Sequence, residues 1–210
     1  MTATLRHDDG GWAERVGNHL ALDLVNTVAW RLDPARTVDR LPDSASLVRW
    51  AAFVGLLDRD RAEALSDKAA RDERAAERVV ADVRRARECL YAVLHPLATD
   101  GAAPHPDDVE ALQDWLVEVL GRAELASVMP TTWSHPLETL ADLPVTLGLQ
   151  AWSLLQEERG DRLRQCQDAS CGWLFLDRSR NGSRVWCSSA DCGNRTRARR
   201  HYRRQTGAAT

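Results

Sequence analysis

The residues with the clearest chemical potential are four cysteines in the last third of the chain. Cys166 and Cys171 form a C-x4-C pair, and Cys187 and Cys192 repeat the same spacing after fifteen intervening residues. Four thiolates brought together by two short loops make a tetrahedral site that suits Zn²⁺. Because four sulfurs fill the tetrahedron and leave no position for a reactive water, we expect one structural zinc ion.

Two alternatives to a metal site are a pair of disulfides and a set of buried core thiols. The sequence has no recognisable signal peptide, and apolar runs such as Trp50–Leu57 are shorter than the roughly 20 residues that span a bilayer. We therefore expect a cytoplasmic protein, in which thiols stay reduced and metal is favoured over disulfides. Buried core cysteines remain the alternative, and we expect core packing for Cys89, which stands alone on a predicted helix.

The chain is strongly polarised in charge. Residues 161–210 hold eleven arginines and four acidic residues, a balance of +7, whereas residues 1–160 hold 17 basic and 27 acidic residues, a balance of −10. This asymmetry suggests an anionic partner for the C-terminal end only. Helical spacing would arrange six arginines into two adjacent basic stripes that contact phosphates of nucleic acid. These are Arg195, Arg197, Arg199, Arg200, Arg203 and Arg204.

Other partners for the basic segment stay open. The segment could be a solvated helix, or it could dock on the acidic N-terminal domain of the same molecule. Trp173, Trp186 and Tyr202 could stack unpaired bases, as in RNA recognition, although the two tryptophans lie between metal ligands where a small module needs a core. The residues alone leave duplex DNA open as a partner. An RNA- or ribosome-associated factor and a zinc-stabilised protein-interaction module are the alternatives.

The elements around the cysteines predict a small zinc finger at residues 161–210. Trp173–Leu176 alternates as a strand, and Asn181-Gly182 provides a hairpin turn, after which Arg184–Trp186 would form the returning strand. Asp191 is placed to cap a helix over Gly193–Arg204. A loop, a hairpin, a second loop and a helix that carries the last ligand in its first turn resemble a treble-clef zinc finger.

Residues 1–160 are expected to form a helical domain, so that the protein as a whole is mainly α. Apolar residues recur at helical spacing, and Asp142 is placed to cap the last large helix. We expect this domain to fold without the finger, since it is long enough to bury its own core. The predicted elements are helices at Glu14–Trp30, Ser44–Phe53, Arg59–Ala98 (one helix, or two with a break near Ser66-Asp67), Asp107–Leu120 and Pro144–Glu158, and a hairpin of Ala123–Met129 with Thr132–His135.

Four polar residues interrupt the first helix of this domain: Asn18, His19, Asp23 and Asn26. They could line a pocket for an unknown small-molecule effector, which would make the domain a sensor, or they could form a buried hydrogen-bond network. Enzymatic motifs are missing from the sequence: it has no Gly-rich phosphate loop, no H-E-x-x-H and no G-x-S-x-G. We expect a protein that is not an enzyme.

The segment Leu163–Arg204 resembles the CGNR zinc-finger family. It contains C-x4-C-G-W-L-F-L-D, S-R-N-G-S-R, W-C-S and C-G-N-R followed by R-x-R-R. Residues 20–27, with the sequence L-A-L-D-L-V-N-T, are similar to the ABATE domain that accompanies this finger. The resemblance implies a mainly helical N-terminal domain, a four-cysteine zinc site and a role as a stress-induced transcription regulator, which supports DNA as the partner.

Overall fold

The computed structural model describes residues 15–157 and 160–205. In these ranges the protein is mainly helical, as the sequence predicts, and its strands form three two-stranded antiparallel sheets. The helices are α1 (Leu20–Val25), α2 (Ser44–Phe53), α3 (Arg59–Arg71), α4 (Glu73–Thr99), α5 (Pro106–Arg122), α6 (Leu143–Leu155) and α7 (Asn194–Gln205). The strands are β1 (Val28–Ala29), β2 (Val38–Asp39), β3 (Glu124–Val128), β4 (Thr131–Ser134), β5 (Leu163–Gln165) and β6 (Leu174–Leu176).

Aspartate caps set the starts of the next three helices after α1. Asp43, Asp58 and Asp72 precede α2, α3 and α4, and each carboxylate accepts the backbone N–H three residues ahead at 2.7 to 3.0 Å. The stretch Arg59–Ala98 therefore contains two helices, and the break lies at Asp72 instead of near Ser66-Asp67. The backbone of Asp72 leaves the helical region (φ −136°, ψ 75°), which ends α3 and starts α4 at one residue.

The first helix is much shorter than the predicted Glu14–Trp30 segment, whose first residue lies outside the described ranges. Asn18 and Trp30 have positive φ angles of 61° and 57°. A left-handed residue interrupts a right-handed helix, so α1 is confined between these two positions. The His19 ring accepts the N–H of Ala21 and caps the helix. Val28 and Ala29 of the predicted helix form β1 instead, which pairs with β2.

Asp142 does not cap α6 through its side chain. Its carboxylate accepts the backbone N–H of Thr139 at 2.8 Å and the Thr139 hydroxyl at 2.9 Å, so it closes the preceding turn. The helix begins at Leu143. Glu158, where α6 was predicted to end, lies outside the described residues. Residue 159, next to the predicted domain boundary near Gly160, also lies outside them. Of the helices in the described ranges, none is long and apolar enough to cross a bilayer.

The strand pairing within the finger differs from the predicted hairpin. β6 pairs with β5, with Leu163 opposite Leu176, and residues 184–186 form no strand. The turn at Asn181-Gly182 exists, because Gly182 has a φ of 61° and the Asp177 carboxylate accepts the N–H groups of residues 179 and 184. The segment that returns from this turn cannot pair with β6. One edge of β6 pairs with β5, and the other edge binds Gly17 and Asn26 of the N-terminal segment.

The hydrophobic core is continuous between the helical region and the finger. One cluster joins α2, α3, the first half of α4 and the start of α6, with Trp50 fully buried in it. A second cluster packs Leu22 and Leu90, from α1 and α4, together with Leu163, Leu174 and Leu176 of the finger strands. Side chains at the contact between the helical region and the finger would be exposed to water if the two regions separated. The shared cluster favours cooperative folding of the two segments, while independent folding of residues 14–158 stays a prediction for a truncation to test.

Candidate metal centre and arginine helix

The four cysteines converge on one buried point, as their spacing predicts. Cys166 and Cys171 lie in the loop that joins β5 to β6, whereas Cys187 follows the second loop and Cys192 lies in a π-helical turn before α7. Their sulfurs lie within 4.8 Å of one another. The Sγ atoms of Cys171 and Cys187 are 3.7 Å apart, and those of Cys187 and Cys192 are 3.4 Å apart. A tetrahedral Zn–S site has edges of about 3.8 Å, so the four sulfurs fit one structural Zn²⁺.

The loop of the first cysteine pair depends on Gly172. The N–H of Cys166 donates to the carbonyl of Trp173 at 2.8 Å, and the N–H of Cys171 donates to the carbonyl of Asp168 at 3.0 Å. Gly172 has a φ of 72°, and a Cβ at this position would lie 2.8 Å from the Cβ of Arg31. Both the left-handed backbone and the close approach require glycine, which explains the Cys-Gly step before Trp173.

Hydrogen bonds among the thiols lower the pKa of Cys166 but hinder ionisation of two of its neighbours. Hydrogen bonding to Cys166 raises the pKa of both Cys171 and Cys187 well above the usual thiol value, and burial raises it further. Such a cluster is unfavourable as a set of thiolates unless a cation balances its charge. Zn²⁺ provides that balance, because coordinated thiols are deprotonated and metal binding then stabilises the fold.

Arg195 belongs to the metal centre. Its guanidinium donates to Asp168 at 3.0 Å, to Asp191 at 2.8 Å and to the sulfur of Cys192 at 3.0 Å. It also lies 4.5 Å above the ring of Trp30, in the N-terminal segment. Burial lowers the pKa of Arg195, but the Cys192 thiolate, Asp168 and Asp191 outweigh burial and raise the pKa above its ordinary value.

This geometry changes two sequence predictions. Arg195 was expected to contact phosphate, but its side chain is only 20% exposed and its donors bind the groups around the zinc site. Asp191 was expected to cap α7, but its carboxylate pairs with Arg195 one helical turn later. Both differences have the same cause. A four-thiolate zinc site carries excess negative charge, and a nearby guanidinium with N–H···S bonding compensates it.

The other five arginines of α7 are exposed, and α7 buries none of its residues. Arg197 donates to the carbonyl of Ser189 at 3.0 Å, and Arg199 lies 3.7 Å from Asp168 with 43% of its side chain exposed. At the finger loop, Arg178 pairs with Glu157 at 3.1 Å. Arg184 turns inward, where it lies 4.1 Å from the ring centre of Phe175, so it does not extend the exposed basic surface.

The four polar residues around α1 form hydrogen bonds within the protein, and Asn18 and Asn26 reach the finger. Asn26 donates to the carbonyl of Leu174 at 2.8 Å and accepts its N–H at 2.9 Å, and Asn18 donates to the carbonyl of Leu176 at 2.8 Å. His19 caps α1, and the buried Asp23 accepts the N–H of Gly17 at 3.0 Å. Burial raises the pKa of Asp23 above its ordinary value. These side chains match the hydrogen-bond network, the second of the two sequence interpretations.

Two further bonds between the helical region and the finger were absent from the sequence analysis. The indole N–H of Trp173 donates to the carbonyl of Val28 at 2.8 Å, and the N–H of Arg31 donates to the carbonyl of Cys171 at 3.1 Å. Trp30 completes the packing around the four cysteines. Neither carbonyl leaves a signal in the sequence. The only hint was Trp30 itself, which the sequence predicts as the last residue of the first helix.

The fold and the site define a zinc-binding protein in which a four-cysteine finger is packed against a helical domain. Residues 162–205 match the family model of the CGNR zinc finger. Residues 18–158 match the ABATE model, whose description is "putative stress-induced transcription regulator". The ABATE match spans more than half of the chain, so this protein belongs to the ABATE family. No curated protein matches the chain.

Proposed function

We propose that this protein is a transcription regulator that binds duplex DNA through α7. One observation carries the proposal: α7 buries none of its residues, holds six arginines and contains no acidic residue. With Arg195 bound at the metal centre, five arginines remain on the exposed surface. Phosphate groups are the partner that such a surface binds best, because each neutralised phosphate releases condensed counterions.

The arrangement of α7 favours a DNA groove over a flat docking surface. A helix with its side chains is about 10–12 Å wide, which the DNA major groove of about 12 Å admits. From Arg197 to Gln205 every residue of α7 is exposed, so this part of the helix can contact phosphates on both walls of a groove. The base of α7 is held by Arg195 and the zinc ligand Cys192, so binding would not have to order it.

Burial of Trp173 removes one of the three aromatic residues that could stack RNA bases. Trp173 is only 3% exposed and donates its indole N–H to Val28, and Trp186 packs beside the cysteine cluster. The Trp173 ring therefore cannot present a face to an unpaired base, as RNA readers require, whereas Trp186 is only partly buried and Tyr202 on α7 is 68% exposed. The family description supports a regulatory role for the helical domain. In this proposal zinc is structural and the protein has no catalytic activity.

A binding titration tests the proposal. Fluorescence anisotropy with random-sequence duplex DNA, single-stranded DNA and structured RNA should show the tightest binding to the duplex. If five arginines meet phosphates, log affinity should fall with log salt at a slope of about −4 to −5. The double substitution of Arg200→Ala and Arg204→Ala should weaken binding to all duplexes alike and flatten the slope by about two.

A matched control removes the same charge elsewhere. Arg74 and Arg78 are also exposed and one turn apart, on α4, and their replacement by alanine should leave affinity and slope unchanged. Zinc content should equal one ion per chain in every variant. If the α7 variant binds duplex DNA as tightly as the wild type, the interface is elsewhere. If RNA binds more tightly than duplex DNA, or no nucleic acid binds at low salt, the RNA or protein-interaction alternative replaces the proposal.

A further inference from the structure

A cavity of about 480 Å³ lies between α4, α5 and the start of α6, away from the cysteine cluster. Its volume falls in the range of about 300–1,000 Å³ that is typical of small-molecule sites. The half-buried ring of Trp115 forms part of its wall. The other apolar lining comes from Val79, Ala86, Ala111, Ala141 and Pro144. The cavity therefore offers a flat aromatic surface and a mostly small-residue wall.

The charged groups at the cavity leave an excess of negative charge. Arg85 pairs with Asp82 at 2.9 Å. Arg122, the other lining arginine, lies 3.9 Å from the carboxylate of Asp142. The carboxylates of Asp114 and Glu118 also line the cavity, and within the described ranges neither takes part in an ion pair or a hydrogen bond. Both residues are exposed, so their carboxylates are open to solvent and can meet a cationic group of a ligand at the rim.

The spacing of these two acids strengthens the argument. Asp114 and Glu118 lie four residues apart on α5, so their side chains are neighbours on one helix face. Like charges at this spacing destabilise a helix. A bound cation between them would relieve the repulsion, while the ring of Trp115 would take up the apolar body of the same ligand.

We propose that this cavity binds a small organic cation with a flat apolar body, of the protonated aromatic-amine class. The amine is held between Asp114 and Glu118 at the rim, and the ring stacks on Trp115. The acids alone would not define a site. The open cavity and its aromatic wall suit an organic cation, whereas a metal ion gains nothing from an apolar surface.

The position of the cavity also connects it to the finger. Ala86 and Cys89 line the cavity from α4, and the intervening Glu88 holds Arg31 at 2.7 Å. The N–H of Arg31 in turn donates to the carbonyl of the zinc ligand Cys171 at 3.1 Å. A ligand that shifts α4 would therefore act on the metal loop. An effect of the ligand on DNA affinity rests on the proposed DNA-binding function. Binding of the ligand to the cavity does not depend on that function.

Calorimetric titration of the zinc-loaded full chain tests the site with tryptamine as the probe. Indole-3-acetate is the matched control, since it has a similar ring and the opposite charge. We expect one tryptamine per chain and at least tenfold weaker binding of indole-3-acetate. Replacing Asp114 with Asn together with Glu118→Gln should weaken tryptamine binding about tenfold. Glu110→Gln, on α5 but outside the cavity lining, should have no effect.

A second variant tests the volume separately from the charge. Ala111 is exposed on α5 and lines the cavity, so Ala111→Leu should fill the space and abolish tryptamine binding without lowering the melting temperature. Equal binding of the two probes, no binding of tryptamine at millimolar concentration, or full affinity in the Asp114/Glu118 double variant would each overturn the proposal. Tryptamine binding without any change in DNA affinity would refute only the link to the finger.

Discussion

Asn26 is the sharpest test of how the helical domain and the finger are joined. Its side chain is 5% exposed, and its amide forms a two-point contact with β6. The Nδ2 group donates to the carbonyl of Leu174 at 2.8 Å, and Oδ1 accepts the N–H of Leu174 at 2.9 Å. The amide thus occupies the place that a neighbouring strand would take. Alanine at this position would remove both bonds without adding bulk.

The size of the effect follows from these two bonds. The variant Asn26→Ala leaves one buried backbone N–H and one buried carbonyl without a partner, and each costs about 1–3 kcal/mol. We expect a loss of about 3 kcal/mol in the free energy of unfolding. In a domain of 150–250 residues, each kcal/mol lowers the melting temperature by about 2–4 °C. The variant should therefore melt about 6–12 °C below the wild type.

Thermal unfolding followed by circular dichroism measures this shift, with zinc content determined on the same samples. Asn194→Ala is the control, because Asn194 is exposed and its bonds stay within its own helix turn. It should shift the melting temperature by no more than about 2 °C. If Asn26→Ala also melts within about 2 °C of the wild type, the amide contact does not hold the finger to the helical domain.

A charged variant adds a pH test of the same contact. In Asn26→Asp the carboxylate can still accept the N–H of Leu174, but it faces the carbonyl as a second acceptor. Only the protonated acid can donate to that carbonyl, so folding should raise the pKa of the new group above about 3.9. The variant should be closest to the wild type near pH 4 and lose stability as pH rises through the folded pKa. A difference that is independent of pH would refute this explanation.

Three further predictions follow from the metal centre and the buried ion pairs. Arg195→Ala should lower the free energy of unfolding by about 3 kcal/mol and speed zinc release to a chromogenic chelator. The control Arg197→Ala should do neither. Equal effects of the two substitutions would contradict the role of Arg195. Zinc chelation should unfold α-helices together with the finger in one transition, because Trp30 packs beside the cysteines; an unchanged helical melt would contradict the shared core. Burial raises the pKa of Asp39, but bonds from Arg87 outweigh burial and lower it below 3.8. Its stabilisation is therefore present above pH ~4 and lost as pH falls through the folded pKa, and Asp39→Asn should reduce the acid dependence of unfolding monitored by circular dichroism.

The features that the sequence predicted are those that depend on local order along the chain. The helix Ser44–Phe53 matches its predicted bounds, because its cap, its periodicity and the glycine that follows are all local signals. The hairpin of β3 and β4 also agrees with the prediction. The four zinc ligands could be found because soft thiolates at paired spacing have few other uses in a reduced compartment.

Other features depend on contacts between residues that are far apart in sequence. One edge of β6 pairs with β5 and the other binds Asn26, 148 residues away, so the local strand-and-turn pattern after Gly172 could not reveal that the second edge is occupied. Asn18 and Trp30 adopt positive φ angles, which local periodicity does not show, and so α1 was predicted too long. The cavity on α4 and α5 also forms only when the helices pack.

Arg195 shows the division most clearly. The sequence by itself determined a positively charged helix behind a zinc ligand, because residue type fixes charge and spacing fixes the helix face. Only the tertiary structure decided that Arg195 serves the metal centre while its five neighbours on α7 face solvent. Asp168 and Trp30 reach Arg195 from other parts of the fold. Charge is a property of a residue, but the partner that neutralises it is a property of the fold.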